Sequence, residues 1–460
     1  VDYSEFLGKK TISEGAIGFD IESDEVNPML FDWQKELVRL SLKRGRCALF
    51  EDCGLGKTFQ QIEWARIINR ETDSPVLILA PLAVSKQTRR EGKKLGVDVN
   101  ICRQHEDVIN GINITNYEKL DNFDPSFFSG IVLDESSILK NFTGKIRNKI
   151  IGSFLNTKYK LCCTATPSPN DYTELGNTSE FLGIMTRPEM LSMFFINDTG
   201  HTTNCWRLKG HVSNSVFWEW LSSWSVMIQK PSDIGFENNG FVLPPLNIKE
   251  MTIPFTGQRE TLFVEPASTL SERRSARKES MEERVAITAE LINKSNETWI
   301  AWCNLNDESS ALASKIYGSV EVKGADKPSH KERSMIDFAD GKIKCLVSKP
   351  SIAGLGMNFQ SCANMAFVGL SDSFEQYYQA VRRCWRFGQN RPVNAYIITG
   401  EREGNVVLNI KRKEKDMQDM FSGMIDHMRI LMKSEIKKTS RQTTKYEPKI
   451  TIKKPDFMRV

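Results

Sequence analysis

Short apolar runs recur along the chain, each separated from the next by enough polar-patterned sequence for a helix. In the first half they fall at 46–50 (RCALF), 76–80 (VLILA), 112–116 (INITN), 130–133 (GIVL) and 159–164 (YKLCCT). In the second half they fall at 298–303, 319–323, 343–348, 365–370 and 393–399. Near-continuous apolar runs predict strands buried on both faces, and their alternation with helices predicts parallel sheets covered on each side. Two such sets predict two α/β lobes.

Residues 184–250 break this rhythm. They are rich in aromatic residues and end in LPPL at 243–246. Phe217, Trp220, Leu221, Trp224 and Ile228 fall at helical spacing, which reads as a core-packing stripe rather than a platform for stacked bases. Residues 271–285 (SERRSARKESMEERV) carry dense charge of both signs, the usual mark of a solvated helix or linker, and the inter-lobe connection is placed in or near them. Residues 413–433 read as an ordered helix running into a basic tail.

Composition narrows the classes. At 460 residues the chain is long for one compact unit, and 40% hydrophobic with 26% charged residues suits a globular protein. No run approaches the roughly 18 to 20 apolar residues of a membrane helix, and the first residues lack a secretory layout, so a cytoplasmic protein without membrane contact is expected. The ten cysteines include no C-x-x-C pair, which favours buried thiols in a reducing compartment over a zinc ribbon or redox dithiol. A net charge of +4 predicts no partner, but its distribution is uneven: residues 1–30 are acidic and 433–460 basic. A basic end is either a nucleic-acid arm or a solvated tail.

The sharpest local signal is EDCGLGKT at 51–58, directly after one predicted strand and directly before a helical run. A strand, a glycine turn formed by Gly54, Leu55 and Gly56, and a helix start aim backbone N–H groups at one point, where the helix dipole also favours an anion. Lys57 would reach the β- and γ-phosphates of a nucleotide, and Thr58 would offer a hydroxyl to Mg²⁺. The full phosphate-loop pattern lacks its first glycine, because Glu51 stands there. About 75 residues later GIVLDESS closes a strand on two acids. Such a pair is often only a helix cap, but at the sheet edge of a phosphate loop it reads as a metal ligand (Asp134) and a group that polarises the attacking water (Glu135).

In their order these motifs resemble superfamily-two helicase-like ATPases, and among them the Swi/Snf-type double-stranded-DNA translocases, in a compact form similar to those of bacteriophage genomes. The resemblance covers roughly residues 29–400. Phe31-Asp32-Trp33-Gln34 resembles the entry motif whose Gln reads adenine. LILAPLAV (77–84) and ITNY (114–117) resemble the lobe-one DNA-contact motifs, which implies contacts at Pro81 and Asn116. DESSILKN (134–141) is similar to D-E-A-H-x-x-K-N, and TATP (164–167) to T-G-T-P, implying coupling roles for Thr164 and Thr166. In lobe two, residues 351–371 resemble the glycine-rich motif that closes on DNA and nucleotide, with Gly354, Gly356 and Asn358 in its fixed places. QAVRRCWRFGQ (379–389) is similar to Q-A-x-x-R-x-x-R-x-G-Q throughout. That resemblance implies DNA contact or coupling at Gln379 and arginine fingers at Arg383 and Arg386.

The resemblance implies two RecA-like lobes in tandem with a cleft between them. The divisions expected are an N-terminal arm (1–28), an ATP-binding lobe (29–183), a helical insertion (184–250), a linker (251–296), a second lobe (297–410), and a C-terminal helix with basic tail (411–460). The implied activity is ATP- and Mg²⁺-dependent movement along double-stranded DNA without strand separation, by a monomer, with a DNA-modifying or repair enzyme as a conceivable partner. Ser136 and Ser137 depart from the family's Ala-His, and that His helps couple hydrolysis to DNA contacts. Gln229-Lys230 likewise replaces two arginines. Two alternatives stay open: a strand-separating helicase on DNA or RNA, and an ATP-gated DNA-binding switch in a larger complex.

Overall fold

The computed structural model of the chain describes residues 17–81, 84–198, 205–254, 270–353 and 358–436. Strands β1 (Arg46–Glu51), β2 (Val76–Ala80), β3 (Val99–Ile101), β4 (Ile112–Asn116), β5 (Gly130–Asp134) and β6 (Tyr159–Thr164) lie in one sheet. An antiparallel pair follows, β7 (Phe195–Asp198) and β8 (Cys205–Leu208). The chain then returns to the first sheet with β9 (Ser225–Ile228), giving the order β3-β4-β2-β5-β6-β1-β9, parallel throughout. The second sheet contains β10 (Leu246–Ile253), β11 (Trp299–Cys303), β12 (Ser319–Val322), β13 (Cys345–Ser348), β14 (Asn364–Val368) and β15 (Val393–Gly400), in the order β10-β15-β14-β11-β13-β12, again parallel. Every strand expected from an apolar run is present. β1, β2, β4, β5 and β6 are buried at nearly every position, as sheets covered on both faces require.

Three expectations need correction. The segment 184–250 is not simply a helical insertion, because it contributes the β7–β8 pair and the edge strand β9. The helix His211–Trp224 ends four residues before Ile228, which lies on β9 opposite Glu51. Ile228 therefore keeps its core position but reaches it as part of a strand; the short run SVMI satisfies the open edge of β1 better than another helical turn would. The boundary at 250/251 falls inside β10, and the chain passes between the sheets at 229–245, well before the charged stretch. Trp385 Nε1 donates to the Pro244 carbonyl there, at 2.7 Å.

The charged stretch itself forms the helices Leu270–Glu279 and Met281–Asn293, and the second is no solvated linker. Val285, Ala289 and Ile292, spaced i, i+4 and i+7, are buried against Leu312 and Val368 in a core on one face of the second sheet. Arg284 on the same helix is fully buried and pairs with Glu308 at 3.0 Å, a partnered charge that made a core helix look like a surface one. The last helix, Gly404–Ile436, leaves the second sheet and lies against the first lobe. Met417, Met420, Phe421, Met424 and Met428 are buried there, Tyr172 donates its hydroxyl to the Asp416 carbonyl at 2.7 Å, and Arg429 donates to the Asp233 carbonyl at 3.1 Å. Gly354, Gly356 and the basic tail lie outside the described residues. Among the described residues, no helix is long and apolar enough to cross a membrane.

Candidate active site

The sheet order brings β5, β6 and β1 side by side. Their register sets Phe50 opposite Thr164 and Asp134 opposite Cys163, so the ends of three strands reach one edge at one level. The phosphate loop leaves β1 at this edge. Gly54 and Gly56 take left-handed backbone angles (φ +93° and +81°) that L residues rarely adopt, and a side chain at Gly56 would meet Gln34 Nε2 at 2.5 Å. The helix Lys57–Thr72 starts directly after Gly56, which points its free N–H groups, with Thr58 in the first turn, toward the loop. Gln34 is buried and donates to the Leu55 carbonyl at 2.8 Å, tying the entry motif to the back of the loop.

Lys57 folds onto the loop, its ammonium donating to the carbonyls of Glu51 (2.7 Å) and Asp52 (3.1 Å). Burial works against this charge, but Cys53, Glu135, Glu51 and Asp52 outweigh it and hold the ammonium above its ordinary value. Asp134 is buried and accepts from Gln61 Nε2 at 2.7 Å, while Tyr117 fixes the Asp134 carbonyl at 2.6 Å. Burial raises the Asp134 carboxyl, against the pull of Gln61 and Lys57. Glu135 turns at φ +54°, a left-handed conformation unusual for a non-glycine residue, and its carboxylate accepts from the Thr164 hydroxyl at 3.3 Å. Its pKa is pushed up to about 7 by burial, then by Asp134 and Glu375, with Lys57 and Arg383 opposing. Thr166 is buried behind it, its N–H bonded to Thr164 Oγ1 at 3.1 Å.

The second lobe completes the site with the helix Phe374–Cys384, which lies between β14 and β15. Arg383 is buried on it and faces the acidic pair, and Gln379 is buried one turn earlier. Arg386 is bonded to the Asn358 side chain, and its Cβ would lie 3.4 Å from a side chain built on Gly54, so this loop presses directly on the phosphate turn. Burial and the neighbouring Arg383 lower the Arg386 pKa to about 10. Two arginines this close beside a phosphate loop are an arrangement that an anion relieves.

Several contacts here were not anticipated from sequence. Asp52, in the turn itself, is bound by the Tyr378 hydroxyl and the buried Arg382 of the second lobe. Ser137 and Lys140 both reach Glu375. Lys86, Arg89, Arg90 and Lys93 line a concavity of about 340 Å³ with Glu332 of the second lobe, and Lys86 and Arg90 approach Glu332 to 3.2 and 3.7 Å. Only the last group had a local signal, cations at helical spacing just after Pro81. Pro81 itself follows β2 at the same sheet edge. Asn116 is placed beside it, but its side-chain oxygen already accepts from the Lys119 N–H at 3.1 Å and caps a short helical turn.

Glu51, where the general phosphate-loop pattern has a glycine, supplies a stability test. Its carboxylate is fully buried, with one oxygen accepting from Gln60 Nε2 at 2.8 Å, and burial raises its pKa from 4.5 to about 7. A raised folded-state pKa contributes stability that is fully present below pH 4.5 and lost as pH rises through about 7. The loss is roughly 3 kcal/mol. Glu51→Gln keeps the Gln60 contact and removes the titration. Its thermal midpoint should match the parent near pH 4.5 and exceed it at pH 8; a pH-independent difference would assign the titration to other groups.

Tandem parallel sheets, with a phosphate loop and acidic pair on one and an arginine-bearing helix of the other facing them, define a two-lobed nucleoside-triphosphate hydrolase. Two family models match the chain in the same order: the SNF2-related domain over residues 33–194 and the helicase conserved C-terminal domain over 283–388, together more than half of it. The chain belongs to the Swi/Snf-type helicase-like ATPases of superfamily two and is a nucleic-acid-dependent ATPase. Among solved structures it is similar to the Sulfolobus solfataricus SWI2/SNF2 ATPase core in complex with dsDNA, at 15% identity over 91% of this chain and 98% of that one, with a TM-score of 0.43. No curated protein matches it.

Proposed function

We propose that the protein hydrolyses Mg·ATP to move along double-stranded DNA without separating the strands. The observation that carries this reading is the basic row Lys86, Arg89, Arg90 and Lys93, which meets the second lobe across an open concavity. Cations spaced along a helix suit a phosphate backbone and read no base edge, so a grip there is independent of sequence. Duplex rather than single-strand preference rests on the Swi/Snf-type family.

At the site, Gly54, Gly56 and Lys57 would cradle the phosphates, and Gln34 would meet the base. Mg²⁺ prefers oxygen donors, and the Thr58 hydroxyl and the Asp134 carboxylate at the loop suit it, with water and phosphate oxygens filling the remaining places. The bound ion would neutralise phosphate charge. Glu135 would orient water, and Arg383 and Arg386 would stabilise charge on the γ-phosphate once the cleft closes. Because these groups come from different lobes, closure and hydrolysis are coupled, and alternation between closed and open cleft would step the protein along the backbone. Thr164, Thr166, Asn358 and Gln379 would transmit closure to the DNA path begun by Pro81 and Asn116.

The test is steady-state ATP hydrolysis with duplex DNA, single-stranded DNA, RNA or no nucleic acid, over a salt series, beside displacement of a triplex-forming strand and unwinding of a forked duplex. Stimulation by duplex that weakens with salt, triplex displacement and an intact fork are the expected results. Stimulation by single strands alone, with fork opening, would replace this reading by a strand-separating one in which the β7–β8 pair is the candidate wedge.

A further inference from the structure

Glu375, Tyr378 and Arg382 come at i, i+3 and i+7 on the helix Phe374–Cys384, hence on one face, and all three cross to the first lobe. Tyr378 and Arg382 hold Asp52 in the phosphate turn. Arg382 also donates to the Cys53 carbonyl at 3.3 Å and stacks on Trp385, its guanidinium 4.6 Å from the ring centre. Burial acts against its charge, and Asp52 with Tyr378 outweighs it. At the other end of the face Glu375, only 12% exposed, accepts from the Ser137 hydroxyl with one oxygen and from the Lys140 ammonium with the other.

These two contacts fall on the short helical turn Ser136–Lys140, which begins directly after Glu135. Behind it the turn is pinned to the lobe-one core, since Asn177 Nδ2 donates to the carbonyls of Leu139 (2.9 Å) and Lys140 (3.1 Å). Its front is held by Glu375 alone among the described hydrogen bonds to Ser137 and Lys140 side chains. Ser137 stands where the family places its coupling histidine.

We propose that Glu375 is a positioning residue for ATP hydrolysis: by gripping Ser137 and Lys140 it sets the Glu135 turn against the helix that carries Arg383, and this serine–glutamate contact does the coupling work of the missing histidine. Arg383 lies eight residues, about two helical turns, beyond Glu375 on one rigid element. Any slide of the helix moves Arg383 and releases the Glu135 turn together. Misplacement of reacting groups by about 1 Å costs on the order of 100-fold in rate. The proposal rests on the duplex-stimulated motor reading.

The experiment compares the full chain with Glu375→Ala, Glu375→Gln, Ser137→Ala and the Ser137→Ala/Glu375→Ala double variant, measuring kcat and KM for ATP with and without duplex DNA, together with thermal midpoints. Glu375→Ala should lower duplex-stimulated kcat about 10- to 100-fold with KM within about twofold. Ser137→Ala should fall in the same direction, and the double variant should be no slower than Glu375→Ala, because Glu375→Ala already removes the contact that Ser137→Ala breaks. Wild-type kcat in Glu375→Ala and Ser137→Ala, a KM that rises while kcat holds, or additive losses would overturn the proposal. Should Glu375→Ala not fold, Glu375→Gln and Ser137→Ala carry the same comparison. If the wild-type chain hydrolyses ATP without duplex stimulation, the motor reading fails, and the kcat of the variants still decides whether Glu375 positions the site.

Discussion

Glu135→Gln should bind ATP and hydrolyse it roughly 10² to 10⁴ times more slowly than the parent. The amide is nearly isosteric, so it still accepts from the Thr164 hydroxyl, and the turn that holds residue 135 at φ +54° is set by its neighbours. What disappears is the negative charge that, in the proposed reaction, orients water and receives its proton. Lys57 keeps its contacts with the Glu51 and Asp52 carbonyls and gains no new repulsion, so nucleotide affinity should stay within a few-fold of the parent. Single-turnover hydrolysis beside titration with a fluorescent nucleotide separates the two quantities. Hydrolysis within about threefold of the parent would move the water-orienting role to another group.

Arg383→Ala should lower kcat by about 10³-fold, the lower end of what arginine fingers contribute. Arg383 is buried, 7% exposed, and its charge faces Asp134 and Glu135 from the opposite lobe. It can therefore reach a γ-phosphate held by the loop without a large rearrangement of its own helix. Arg383→Lys should recover little, since a point ammonium lacks the planar fork that matches phosphate oxygens. Because the interaction strengthens with developing charge, the loss should appear in kcat more than in KM. A rise in KM with kcat preserved would make Arg383 a ground-state phosphate contact.

The elements around the phosphate loop and the acidic pair were legible because their signals are local. RCALF, EDCGLGKT and the helical run after it specify strand, glycine turn and helix from adjacent residues, and the structure has β1, the left-handed Gly54 and Gly56, and Lys57–Thr72 in those places. GIVLD likewise became β5 with Asp134 at its end. Failure came where a segment's environment is supplied by distant chain. SVMI at 225–228 is too short to distinguish a strand from a helix end, and the exposed edge of β1 makes the choice. The helix Met281–Asn293 looked solvated because Arg284 is charged, and only Glu308 and Glu403 in the folded lobe show that the charge is buried and partnered.

By itself the sequence determined the chemistry of each half: a phosphate loop and paired acids on one sheet, an arginine motif in the other lobe, and an order of motifs shared with Swi/Snf-type ATPases. Local backbone preference and strand burial suffice for the strands and the glycine turn, and the resemblance supplies the arginine motif. Only the tertiary structure decided how the halves meet. Arg382 reaches Asp52 across 330 residues and Ser137 reaches Glu375 across 238, and no periodicity encodes such pairs. They arise from two sheets and a returning C-terminal helix packing into one arrangement, a sum of many long-range contacts that no short segment carries.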